Sequence, residues 1–138
     1  MSEVHAGLDT SVLLRLLVGQ PEDQYQTALH FMAAVEMAGD RVLVSNLVIA
    51  EAYFACQHHY GISKADVLLG LGTLFARQTF VVHPAVLELL SRNAIASAKP
   101  GFLDRLIHAE YARFGTPLAT FEKAARKLPG VKWLGGKS

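Results

Sequence analysis

The chain has 138 residues, 51% of them apolar and 18% charged, which suits one domain with a real core and argues against disorder. A formal net charge of +1 gives no broad basic field, so any nucleic-acid partner must be held by a local patch or by a metal. The lone cysteine, Cys56, cannot form an internal disulfide, and neither a secretory signal nor the ~18 uninterrupted apolar residues of a membrane span is present, so a cytoplasmic protein is expected.

Residues 4–9 read as a short strand ending at Asp9. Thr10 is placed to cap a helix over 11–18, stopped by Gly19 and Pro21. The next helix opens with Pro21 and two acids and closes near Gly39, with Tyr25, Leu29, Met32 and Glu36 at helical spacing. "RVLVS" is a compact strand. Ser45 or Asn46 then caps "LVIAEAYFACQHHY", which ends at Gly61, and Ser63 starts a helix to Phe75. "TFVVH" is a third strand, stopped by Pro84 of a following helix. "FLDRLIHAEYARF" is helical up to Gly115, "TPLAT" is a fourth strand, "FEKAARKL" a short helix and "VKWL" a last strand. This alternation predicts an α/β fold, a mainly parallel central sheet between helical layers, over residues 1–134, with a frayed tail at 135–138. Such sheets place their sites beyond the carboxyl ends of the strands.

Four acids fall where they draw notice. Asp9 ends the first strand. Glu51 shares a helix face with Leu47, Phe54, Ala55 and His58, which puts a carboxylate inside an apparent apolar stripe. Asp104 has Ile107 and Tyr111 at i+3 and i+7 and is expected to border a packed face. Glu122 directly follows the fourth strand. Each alone is as well explained as a cap, an ion-pair partner or a solvated acid. Together they have too few buried cations to pair with, Arg15 and Arg105 serving one or two at most. Clustered carboxylates repel, and a hard divalent cation, Mg2+ or Mn2+, relieves both problems.

With those residues in place, the chain resembles a PIN domain, and most of all the VapC-type toxins of bacterial toxin–antitoxin pairs. The likeness runs through "LDTSVLLRLL", "VSNLVIAEAYFA" and "FLDRLIHAEYARFGTPLATFEKAARKLPGV". The family pattern of acid and hydroxyl after the first strand is met by Asp9 and Thr10, and the glutamate after the second by Glu51. The Phe-x-Asp group is met by Phe102 and Asp104, and the closing Thr-Phe-acid group by Thr120, Phe121 and Glu122. Two departures stand out: the last acid is usually Asp, and many relatives carry an acid where this chain has Gly101.

The resemblance implies a metal-dependent endoribonuclease with Mg2+ or Mn2+ as cofactor. It also implies a homodimer and a small antitoxin partner. Two ions in such a site lie ~4 Å apart and drive in-line attack of an activated water at phosphorus. Asp9 and Asp104 are the expected central ligands. Glu51 is a ligand or orients the water, Glu122 serves the second ion, and Thr10 and Thr120 support by hydrogen bonds. Arg15, Arg77, Arg105 and Lys123 are candidates to hold RNA phosphates, each equally at home as a solvated charge. The rival reading is a PIN-like module that binds RNA or protein without cutting. A partner surface is expected on residues 21–39 and 46–75, where apolar residues such as Met32, Met37, Phe54 and Phe75 are in excess. The closing "GGKS" is not a phosphate loop, since the pattern's first glycine falls at Val131. His58 and His59 are adjacent and point about 100° apart on a helix, a poor chelating pair.

Overall fold

The computed structural model describes residues 3–136. The chain divides into two compact units, one running to Leu90 and one from Ser91.

The first unit holds β1 (Val4–Gly7), α1 (Thr10–Val18), α2 (Glu22–Met37), β2 (Arg41–Leu43), α3 (Asn46–His58), α4 (Lys64–Phe75), β3 (Phe80–Val81) and α5 (Pro84–Leu90). Its strands form a parallel sheet in the order β1-β2-β3, with Gly7 opposite Leu43 and Leu43 opposite Val81. Each return between neighbouring strands runs through helices, as parallel pairing requires. All three strands point the same way, so Asp9, Ser45 and His83 follow carboxyl ends along one edge of the sheet.

Local chemistry explains the helix boundaries. The Asp9 carboxylate accepts from the amide of Val12 at 3.2 Å and caps α1. Asp9 is thus the cap and Thr10 the first helical residue, one place from the sequence expectation: Asp9 has the extended backbone of a cap, and the Thr10 hydroxyl is turned to Glu51 instead. Gly19 closes α1 with φ 77°, a left-handed cap that suits glycine, its N–H bonding to the Arg15 carbonyl at 2.8 Å. Ser45 and Ser63 cap α3 and α4 by accepting from Val48 and Asp66. Pro84 opens α5 as a first-turn proline should.

Helices and sheet bury Leu13, Val42, Val44, Ile49, Leu71 and Val86 almost completely. Removing the side chain of any one beyond Cβ should cost about 2–5 kcal/mol for Leu or Ile. Cys56 belongs to this core, and burial pushes its thiol pKa up, away from reactive thiolate. The expected partner surface is smaller than the apolar count suggested. Met32 and Phe75 are core residues, each 2% exposed, whereas Met37 and Phe54 face solvent.

The second unit holds a short 3-10 turn at Ile95–Ser97, α6 (Phe102–Arg113), β4 (Leu118–Thr120), a 3-10 turn at Lys123–Lys127 and β5 (Val131–Trp133). β4 and β5 pair in parallel, Thr120 opposite Trp133. "FEKAARKL" therefore makes a five-residue 3-10 turn rather than an α-helix. Arg126 lies over the Trp133 ring at 4.5 Å, and the indole N–H donates to the Phe121 carbonyl. Gly135 lies so close to that indole that a Cβ there would collide with it. Of the expected tail, residues 137 and 138 lie outside the described residues.

Candidate active site

The turn out of β1 fixes Asp9. Its Oδ1 accepts from the Ser11 hydroxyl at 2.6 Å as well as from the Val12 amide. The Ser11 bond first, and the Val12 bond second, hold the carboxyl below its ordinary pKa, against a small opposing effect of desolvation. The result is a solvent-facing acid that is ionised, oriented and anchored through one oxygen. Ser11, which residue type alone does not single out, is the hydroxyl that anchors Asp9 within the run Asp9-Thr10-Ser11.

Glu51 reaches the same corner from α3. The Thr10 hydroxyl donates to Glu51 Oε1 at 3.0 Å. Neighbouring residues thus hold the two acids, Thr10 binding Glu51 and Ser11 binding Asp9. The surroundings of Glu51 differ from the sequence expectation. Its helix face is exposed: Leu47 is 71% and Phe54 54% accessible. The buried face of α3 is Ile49, Ala52, Tyr53 and Cys56. The helix is apolar on two sides, and the side without charge goes inward.

In the second unit Asp104 lies in the first turn of α6, where a carboxylate suits the positive end of the helix dipole. α6 packs through Phe102, Arg105 and Leu106; Ile107 and Tyr111 are 45% and 47% exposed. The face beside Asp104 is therefore open rather than packed. Glu122 is exposed and precedes the 3-10 turn. Its backbone N–H donates to the Thr120 hydroxyl at 2.9 Å, while its side chain makes no capping bond.

The four expected acids divide two and two between the units. Among the described residues, no three His, Cys, Asp or Glu side chains stand together in a group fit to hold a metal ion. Asp9 and Glu51 belong to one unit, Asp104 and Glu122 to the other, and the first two have taken neutral partners within reach. The donor chemistry nevertheless fits a hard divalent cation: four carboxylates, those of Asp9 and Glu51 held by hydroxyls, and the only thiol in the core.

The candidate cations fare unequally. Arg105 is 7% exposed and donates from Nε to the Pro100 carbonyl at 2.7 Å, so it does not face solvent. Burial, and then the charge of Arg92, lower its pKa. Arg77 pairs with Glu36 and lies over Phe80. Arg15 donates to Gln24 and to the Tyr60 hydroxyl. Lys123 is exposed. His58 stacks on Phe54, and His59 caps the end of α3 through its backbone.

A family model described as PIN domain matches residues 7–131, nearly the whole chain and both of its units. The chain belongs to the PIN-domain family, whose members are generally metal-dependent nucleases. No curated protein and no solved structure matches it. No helix among the described residues is long and apolar enough to cross a membrane.

Proposed function

We propose that the chain is a metal-dependent endoribonuclease, the toxin of a type II toxin–antitoxin pair, acting as one domain over residues 1–134 in the cytoplasm. The observation that carries the reading is the corner after β1: an ionised Asp9 anchored by the Ser11 hydroxyl and the Val12 amide, next to a Thr10 whose hydroxyl holds Glu51. Asp9 and Asp104 are the central ligands in this reading, and Glu122 serves a second, weaker position. A bound Mg2+ or Mn2+ supplies Lewis-acid polarisation of a phosphate oxygen and lowers the pKa of the attacking water. Asp9 offers Oδ2, which carries neither of the two bonds that anchor Oδ1. Glu51, fixed through one oxygen by Thr10, orients the water with the other. Thr120 supports the second acid's backbone. Lys123 is the basic side chain best placed for an RNA phosphate, because it is exposed and at the Glu122 turn. The active species is a homodimer, and a cognate antitoxin restrains it by docking an apolar helix on exposed residues of the early helices.

A second reading has an observation of its own. Glu122 in place of the family's usual aspartate, and Gly101 where many relatives carry an acid, favour a PIN-like module that binds RNA or protein without cutting. One experiment separates the two. Purified protein is given single-stranded RNA with Mg2+, Mn2+, Ca2+ or EDTA, and its melting temperature is followed in parallel. The nuclease reading expects cleavage with Mg2+ or Mn2+, none in EDTA, and a melting temperature that climbs with metal concentration by mass action. A flat melting response and intact RNA at millimolar metal support the binding module instead.

A further inference from the structure

The corner that holds Glu51 opens into a groove of about 480 Å³ along the exposed face of α3, lined by Thr10, Ala50, Glu51, Phe54, His58 and their neighbours. Glu51, Phe54 and His58 follow one another at i+3 and i+4, so all three line the same side of the helix. The rings of Phe54 and His58 are stacked, with centroids 5.4 Å apart and planes 22° from parallel. The edge of Tyr53 meets Phe54 at 6.3 Å and 87°, and Tyr53 is itself buried. Phe54 is therefore braced from inside the helix and from its C-terminal side, yet 54% of it remains open to solvent.

We propose that the Phe54–His58 ring pair is a stacking platform for an unpaired base of an RNA substrate, beside the phosphodiester presented to the acids. The inference rests on the nuclease reading above and extends it to substrate positioning. Unpaired RNA bases are gripped by stacking on aromatic and histidine side chains, and every base has a π-face to offer. The groove is continuous with the candidate site, because Thr10 and Glu51 line both. Thr10, Glu51, His58 and His59 place polar groups in its otherwise apolar lining, and the imidazole nitrogens of His58 and His59 can bond a phosphate or a base edge. A broad apolar partner would leave Glu51 and Thr10 desolvated against carbon; a nucleotide, flat on one side and polar on the other, would not. Phe54 is thus a positioning residue for substrate.

The test uses a short single-stranded RNA carrying one 2-aminopurine, a base whose fluorescence falls when it stacks, bound to the full chain in EDTA so that nothing is cut. Wild type should bind and quench it. Phe54→Ala should weaken binding about tenfold or more, the scale of one base–aromatic stack, and abolish the quench. Phe54→Tyr and Phe54→Trp should restore both, while Phe54→Leu, which keeps apolar bulk without a ring face, should not. With metal present, Phe54→Ala should raise KM and leave kcat nearly unchanged. Wild-type affinity in the Ala or Leu variant, or an RNA that wild type neither binds nor quenches, overturns the proposal. So does a Phe54→Ala variant that keeps RNA affinity but dissociates a dimer in light scattering, which would make this face a protein interface. Quenching that depends on Phe54, with no cleavage in Mg2+ or Mn2+, would sink the nuclease reading and leave the platform standing. Cleavage by Phe54→Ala with wild-type KM would do the reverse.

Discussion

Asp9 and Glu122 occupy comparable places. Each follows a parallel strand, each is the residue before a helical segment, and each has a hydroxyl close by. The hydrogen bonds run in opposite senses. At Asp9 the side chain does the capping: the Val12 amide and the Ser11 hydroxyl both donate to its Oδ1. At Glu122 the side chain takes no part, and the backbone N–H donates instead to the Thr120 hydroxyl. One methylene accounts for much of the difference. A carboxylate on Cβ is at the right distance to accept from an amide two or three residues on, and Glu is not among the favoured capping residues. The segment that follows Asp9 is a nine-residue α-helix; the one that follows Glu122 is a five-residue 3-10 turn. The same kind of corner thus yields an anchored acid in one unit and an unanchored one in the other.

If anchoring reflects the strength of metal binding, the two acids should differ most in activity. Asp9→Ala and Asp9→Asn should each lower kcat/KM for RNA by more than about 100-fold, beyond the 10–100-fold typical of residues that merely orient a ligand. Glu122→Ala should fall within that lesser range, as expected if the longer side chain would reach a second ion only through water. Glu122→Asp should hold or raise activity, since it restores the shorter reach, and Mn2+ should serve the wild type better than Mg2+, which tolerates misplaced ligands poorly. The measurement is the cleavage rate of the four variants across a metal titration. Equal losses for Asp9→Ala and Glu122→Ala, or an inactive Glu122→Asp, would break the comparison by making Glu122 an essential direct ligand.

Much of this architecture was legible from local chemistry alone. Gly19, Ser45, Ser63, Pro84 and Gly115 mark element ends in the sequence and mark them in the structure, because a cap depends on the few residues around it. The position of Asp9 at a strand end was readable for the same reason. Its capping role went to Thr10 in the sequence reading because both residue types cap well, and only the geometry of the turn separates them. The surroundings of Glu51 were not readable. Leu47, Phe54 and His58 repeat at helical spacing, and so do Ile49, Ala52, Tyr53 and Cys56. A helix apolar on two sides carries no mark of which side will be covered. Asp104 repeats the lesson on α6, where Ile107 and Tyr111 look outward while Phe102 and Leu106 pack. Arg105 was unreadable in another way: its partner is a backbone carbonyl, Pro100, which a residue pattern cannot reveal.

The smallest expected effect separates the structural role of Asp9 from its chemical one. Asn caps a helix about as well as Asp, so Asp9→Asn should change stability little, whereas Asp9→Ala should cost about 1 kcal/mol and a few degrees of melting temperature. Both variants should lose RNA cleavage, and that split between fold and activity marks the acid as more than a cap. The same anchoring predicts a pH dependence. The folded-state pKa of Asp9 is lowered, so the unfolded chain binds the proton more readily. Its contribution to stability is present above the ordinary value of 3.8 and is lost as pH falls through the lower folded value. Ser11 is the largest cause of that lowering, so Ser11→Ala should move the Asp9 titration back toward 3.8 and trim acid stability slightly, the group being solvent-facing. The Asp9 carboxyl resonance followed by NMR from pH 2 to 6 would read the shift. An Asp9 titration unmoved by Ser11→Ala would mean that the hydroxyl does not anchor the acid, and that the corner after β1 holds its carboxylate no more firmly than the corner after β4 holds that of Glu122.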